Sequence, residues 1–299
     1  MFFKLIACNL YRTIKSPFFW ISVITVCMIC FASYAYNDPV TEDKMMVFEL
    51  IGNKELVSND PRLSSFEIFK NVNGLGLIVF LPVIVSVPFA SLHLDEMNSG
   101  MGRFMLQRQS KRKYFIGSGI TSFISGGLIC LIAYALYGLT VYFAFPSIVS
   151  YSEEKTAFLR LHYEGVTAPF KKVIDSGEYA LPVFLLLLQM FLLGGIVSMF
   201  SLLLSAFIKN IYIVVCLPFF IFYAWYYFTV FVVEKNADGI IKLPKPVMDF
   251  IYYSPSSMLT ECFLYPKMGS KILIVQVAIC VVLFMGYYFI SVNKIDVGE

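Results

Sequence analysis

Six long stretches of the chain contain no Asp, Glu, Lys or Arg, and charged residues crowd into the segments between them. The charge-free runs lie between Lys15 and Asp38, Lys70 and Asp95, Lys113 and Glu153, Glu178 and Lys209, Lys209 and Glu234, and Lys271 and Lys294. Each exceeds the roughly 20 residues that a helix rising about 1.5 Å per residue needs to cross about 30 Å of hydrocarbon. Backbone in lipid must satisfy its own hydrogen bonds, so these runs are predicted to be helices; the short alternating segments of a strand barrel do not occur. The pattern predicts an all-α integral membrane protein with six transmembrane helices, near 17–37, 73–92, 114–145, 180–207, 211–233 and 272–292. All six belong to a single transmembrane domain, 1–299, with outer segments at 38–70, 146–179 and 234–271.

Finer features shape these helices. The first run is longer than a signal-peptide apolar region, follows an amphipathic stretch and is not closed by an A-x-A site, so it reads as a retained span. Pro82 and Pro88 remove backbone donors inside the second span and Pro218 does so in the fifth, predicting kinks. Pro182 stands near the start of the fourth, where proline is tolerated. The third run is longer than lipid requires, so its helix is expected to project beyond the membrane until Pro146 ends it. On that helix Ser118, Ser122 and Gly126 repeat every four residues, as do Gly194 and Ser198 on the fourth. Small residues at this spacing let helix backbones approach closely, and packing within the chain is the simpler use of them than a subunit seam.

The three long loops alternate with short ones and so share one face. On the other face lie the N-terminal segment, 93–113, the Lys209–Asn210 turn and 294–299. Its basic residues are Lys4, Arg12, Lys15, Arg103, Arg108, Lys111, Arg112, Lys113, Lys209 and Lys294. Positive charge dense in short loops marks the cytoplasmic side, which places both termini in the cytoplasm and the chain in the cell membrane.

Two segments on that face have patterns of their own. In residues 2–15, FFKLIACNLYRTIK, Phe2, Phe3, Ile6, Leu10 and Ile14 fall on one side of a helix, and Lys4, Arg12 and Lys15 on the other. This predicts a basic amphipathic helix lying on the membrane surface, in contact with lipid, and feeding the first span through Ser16–Pro17. After the second span, LDEMNSGMGRFMLQRQSKRKYF begins with an acidic pair and continues with a glycine hinge at Gly100 and Gly102. A short helix follows, expected to expose Met97, Met101, Phe104 and Met105 on one side. Apolar side chains on a short loop call for a cover, either a docking protein or the chain's own helices.

Composition narrows the function. With 59% hydrophobic and 14% charged residues and a net charge of +3, the chain leaves the soluble class and offers no basic surface for nucleic acid. Cys27 and Cys30 form a C-x-x-C inside an apolar helix and read as small core residues; the seven cysteines imply no external disulfide framework. His93 and His162 fall on opposite faces and no Cys/His cluster has metal-ligand spacing. There is no P-loop, G-x-S-x-G or H-E-x-x-H motif, so an enzyme in its own right is not expected. No ionisable residue lies deep inside a span, which argues against ion-coupled transport and leaves energy to enter from outside the membrane. Trp20, Trp225, Tyr223, Tyr226 and Tyr227 read as an interfacial belt and core packing before a substrate site.

With an amphipathic N-terminal helix, six spans and an E-x-x-x-G loop after the second, the chain resembles a type-2 ABC exporter permease. Glu96, Gly100, Arg108 and Tyr114 stand where such permeases carry their coupling helix, and Met101, Phe104 and Met105 lie on the same segment. Ser205, Lys209, Asn210 and Pro218 resemble that family's tight inner turn. Pro255, in YYSPSSML, resembles the proline of its outer re-entrant segment. All three outer loops are long, where many family members have mainly one. The resemblance implies a cytoplasmic coupling helix, two ABC ATPase subunits and a second permease copy or paralogue. ATP and magnesium would be held by the ATPases and no cofactor by this chain. The implied activity is export of an amphipathic or hydrophobic substrate: a peptide, lipid or drug. Two other readings stay open. One is a non-transporting sensor or assembly protein whose outer loops bind a ligand or partner. The other is an intramembrane enzyme, which would have to draw on Glu261, Asp249 or His162.

Overall fold

A computed structural model describes residues 2–37, 44–71, 75–108, 110–162, 168–237, 243–244, 247 and 266–296. The chain is a helical, multi-pass membrane protein. Five helices are long and apolar enough to cross a bilayer, and a sixth span is completed if the bent pair at the N-terminus counts as one.

That pair is α1 (Phe2–Lys15) and α2 (Pro17–Phe31), which meet at 64°. The bend falls at Ser16, whose extended backbone suits a residue before proline, and Pro17 begins the new helix. α2 is shorter than the expected 17–37. Its last turn closes at Ala32, and Tyr34–Asn37 leave it as strand β1, antiparallel to β2 (Lys44–Met46). Ser33 fixes the exit: its hydroxyl donates to the Ile29 carbonyl at 2.8 Å and its own carbonyl accepts from Val47 N at 3.1 Å. A charge-free run can thus end as strand where tyrosines replace aliphatic residues.

The second span, α3 (Leu75–Asn98), runs six residues past its expected end and takes Asp95 and Glu96 into regular helix. Gly100 stops it: at φ +77 it occupies the left-handed region that ends many helices. Pro88 deprives the Ile84 carbonyl of its helical donor, and Ser22 Oγ of α2 supplies one at 2.9 Å. After the short α4 (Met101–Arg108) comes α5 (Lys111–Ala144), 34 residues and roughly 50 Å long. It ends as Phe145 turns extended ahead of Pro146.

The fourth and fifth spans are α6 (Ala180–Ser205) and α7 (Ile211–Ala237), and α8 (Pro266–Asp296) is the last. α5 and α6 form the centre of the bundle. Gly126 faces Gly194 and Ser198 so closely that a Cβ on Gly126 would sit 2.5 Å from the Gly194 carbonyl oxygen. Ser122 and Ser198 hydroxyls share a 2.9 Å hydrogen bond beside them. The small-residue repeats are therefore occupied within the chain.

Segments expected as outer loops fold into a cap over one end of the bundle. Val47–Gly52, Lys54–Asn59, Ser65–Lys70, Glu153–His162 and Ala168–Ser176 are short helices there. Phe66, Ile148, Leu159, Phe170, Val173 and Ile174 give the cap a core drawn from both segments. Ser65 N donates to the Pro146 carbonyl at 2.9 Å, and Tyr151 OH to that of Val57. Burial pushes the Tyr151 phenol up to about 12, with nearby Asp60 adding to it, so it remains a donor. The protruding end of α5 supports the cap: Tyr137 OH reaches the Ile68 carbonyl at 3.3 Å, and Phe69 stacks on its ring. At the same junction a buried Lys70–Glu67 pair closes at 2.8 Å.

Candidate functional site

At the end opposite the cap, α1, the last turns of α3, α4, the start of α5 and the α6–α7 turn converge. α1 is amphipathic, yet it presents three faces rather than two. Leu5 and Thr13 are buried, with Leu5 against Gly117 of α5, while Phe3 and Tyr11 are exposed. At about 100° per residue, Asn9 and Arg12 share the buried arc with Leu5 and Thr13, and Lys4 and Lys15 lie outside it. Lys4 and Lys15 are exposed. Arg12 is thus separated from the basic face on which the sequence placed it. Its guanidinium forms an ion pair with Glu96. The other Glu96 oxygen accepts a hydrogen bond from Tyr114 OH at 3.3 Å, joining α1, α3 and α5 through one carboxylate.

One turn deeper, His93 lies in an aromatic box. It stacks between Phe89 and Tyr114 at ring separations of 6.0 and 6.3 Å, and its Nε2 is 3.2 Å from Tyr287 OH of α8. Among the described residues no group of three or more His, Cys, Asp or Glu is placed to hold a metal ion. Cys27 and Cys30 are free thiols, Cys30 within the bundle core. The convergence ties five elements together through side-chain contacts.

α4 divides its side chains between the bundle and the outside. Met105 and Leu106 pack on a buried cluster of Phe89, Tyr114, Phe115, Met199, Leu202 and Tyr287. Met105 therefore departs from the exposed face expected for it. Gly102 is part of the helix and not of the hinge; it is buried beneath Met97, whose Sδ would lie 2.8 Å from an added Cβ. Met101 and Phe104 are 51% and 68% exposed and, with the partly exposed Met97, leave an apolar surface on the end of the molecule. Arg108 is the last residue of the helix.

The α6–α7 turn abuts the same region. Asn98 Nδ2 donates to the Lys209 carbonyl at 3.1 Å. Asn210 caps α7, its Oδ1 accepting from Tyr212 N at 2.9 Å and its carbonyl from Val214 N. Val214 is buried with Ala90 and Leu94 of α3. The sequence singled out Glu96, Gly100, Met101, Phe104, Lys209 and Asn210 one by one, and they gather at one end. It missed the Arg12–Glu96–Tyr114 chain and the His93–Tyr287 contact, which depend on pairings across 84, 18 and 194 positions. Pro255, Asp249 and Glu261 lie outside the described residues. Compared with known protein families the chain matches no family profile, and a search of curated proteins gives no match either.

Proposed function

We propose that this chain is the permease subunit of an ATP-driven ABC exporter of the type-2 class. In this reading the end bearing α1 and α4 is cytoplasmic. Two ATPase subunits dock there, and a second permease copy or paralogue completes the complex. The observation that supports it is the apolar surface made by Met97 at the end of α3 with Met101 and Phe104 of the short α4, whose opposite side is packed into the bundle. Exposed methionine and aromatic groups on a polar-flanked segment suit a protein contact. A push on α4 would pass through Met105 and Leu106 to the cluster around Tyr114 and Leu202, and through Glu96 to Arg12 and α1, moving packed helices as rigid bodies. The exported substrate would be amphipathic or hydrophobic: a peptide, lipid or drug.

The test is co-expression with the ABC ATPase encoded nearest to it, followed by purification and measurement of ATP turnover. Met101→Glu with Phe104→Glu is expected to remove the ATPase from the complex, while Phe48→Glu in the cap leaves it. If the double variant keeps both complex and turnover, α4 is not the docking helix. The sensor or assembly reading draws on the cap having its own core. It predicts that the chain purifies without an ATPase under the same conditions.

A further inference from the structure

At the cap end a cavity of about 350 Å³ opens between Ser65–Lys70, the distal half of α5 and the first turns of α6. Phe66, Phe69, Tyr134, Leu139, Tyr142 and Leu187 form most of its wall, which is almost wholly apolar. A cavity of about 150 Å³ already accommodates a benzene ring, and apolar cavities do not hold water stably. This one is large enough for a ligand and exposes little polar surface to fix water in it.

Its position identifies the ligand. Leu187 lies 18 residues up α6 from Ser205, the helix end beside the Tyr114–Leu202 cluster, which is a rise of roughly 27 Å. Tyr179, at the far rim of the cavity, lies roughly 39 Å up. Taking Ser205 as the inner edge of a hydrocarbon layer about 30 Å thick puts the cavity at the boundary between acyl chains and headgroups on the cap side. It is continuous with an apolar outer surface: Leu136, Leu139, Tyr142, Phe143, Leu181 and Phe184 are all exposed on the same two helices.

We infer that this cavity is a binding site for one acyl chain of a membrane lipid, drawn up from the leaflet on the cap side until its end lies under Phe66 and Phe69. The aromatic walls suit a linear alkyl chain, and the opening onto the lipid-facing surface provides its path. The site does not depend on the exporter reading, since a lipid can be held here whether or not anything is transported.

The experiment reconstitutes the full chain in nanodiscs containing a phospholipid with a diazirine near the end of one acyl chain. Illumination and peptide mapping then locate the adducts. Residues 134–143 and 183–187 should be labelled several-fold more densely than the exposed Phe220 and Phe228 of α7. Ala135→Phe with Val183→Phe, which fills the cavity, should reduce that labelling several-fold and leave α7 unchanged. Should the filled pair not fold, Ala135→Phe or Val183→Phe alone serves instead, each narrowing the cavity and lowering its labelling while that of α7 stays unchanged. Labelling equal to that of α7, or unmoved by filling, would overturn the site.

Discussion

Gly126→Ala tests the packing on which the whole bundle rests. The added methyl would lie 2.5 Å from the Gly194 carbonyl oxygen and against Ser198 Cβ, where an ordinary contact begins at 3.4 Å. Ser198 Cβ is fixed to its backbone and the Gly194 carbonyl is backbone, so neither can swing aside, and α5 and α6 must separate by roughly 1 Å at this point. Overpacking of this kind costs about 1–3 kcal/mol, and the upper part of that range applies where backbone blocks the methyl. Separation also stretches the Ser122–Ser198 bond, worth roughly 0.6 kcal/mol between membrane helices. Alanine's better helix propensity offsets at most about 1 kcal/mol. The net expectation is a loss of about 2 kcal/mol, read from reversible unfolding in mixed micelles as denaturing detergent is increased. Gly195→Ala should cost less, because its methyl meets the terminal ring atoms of Phe123, which can rotate. Gly286→Ala meets only Leu203 at 3.5 Å and should be neutral or stabilising by up to about 1 kcal/mol. If Gly126→Ala proves as stable as Gly286→Ala, the close α5–α6 seam is refuted.

The Arg12–Glu96 pair can be measured in a double-mutant cycle with Arg12→Ala and Glu96→Gln. Arg12 is 39% exposed and Glu96 only 11%, so screening limits the coupling to about 1 kcal/mol in the same unfolding assay. Strict additivity would remove the ion pair as a tie between α1 and α3. In the cap, burial pushes the Asp60 carboxyl up, but the bonds and charge of Arg62 outweigh this and hold it below its ordinary 3.8. A depressed folded-state value means stability present above 3.8 and lost as pH falls through the folded value. The melting-temperature difference between wild type and Asp60→Asn should therefore be constant from pH 8 to 5 and shrink only below 3.8. A difference that vanishes already at neutral pH would show that the Arg62 contact does not act on this carboxyl.

What the sequence made legible followed from lipid being a simple solvent. A charge-free run of 30 residues has few alternatives to helix, so the spans from 75 onward were visible at once. At positions 32–37 the same rule failed, because absence of charge does not distinguish an apolar helix from a tyrosine-rich strand. The cap was hidden for a different reason. Its helices are six to ten residues long, too short for a periodic signature, and its core joins Phe66 to residues 82 to 108 positions away. At the other end, periodicity divided α1 into an apolar and a basic side, which is the answer for an isolated helix on a membrane. A third surface appears only when α5 offers Gly117 to Leu5 and α3 offers Glu96 to Arg12. One of the three basic residues that periodicity grouped on the polar side is therefore committed to the protein. Lys4 and Lys15 remain exposed, and Arg12 links α1 to α3.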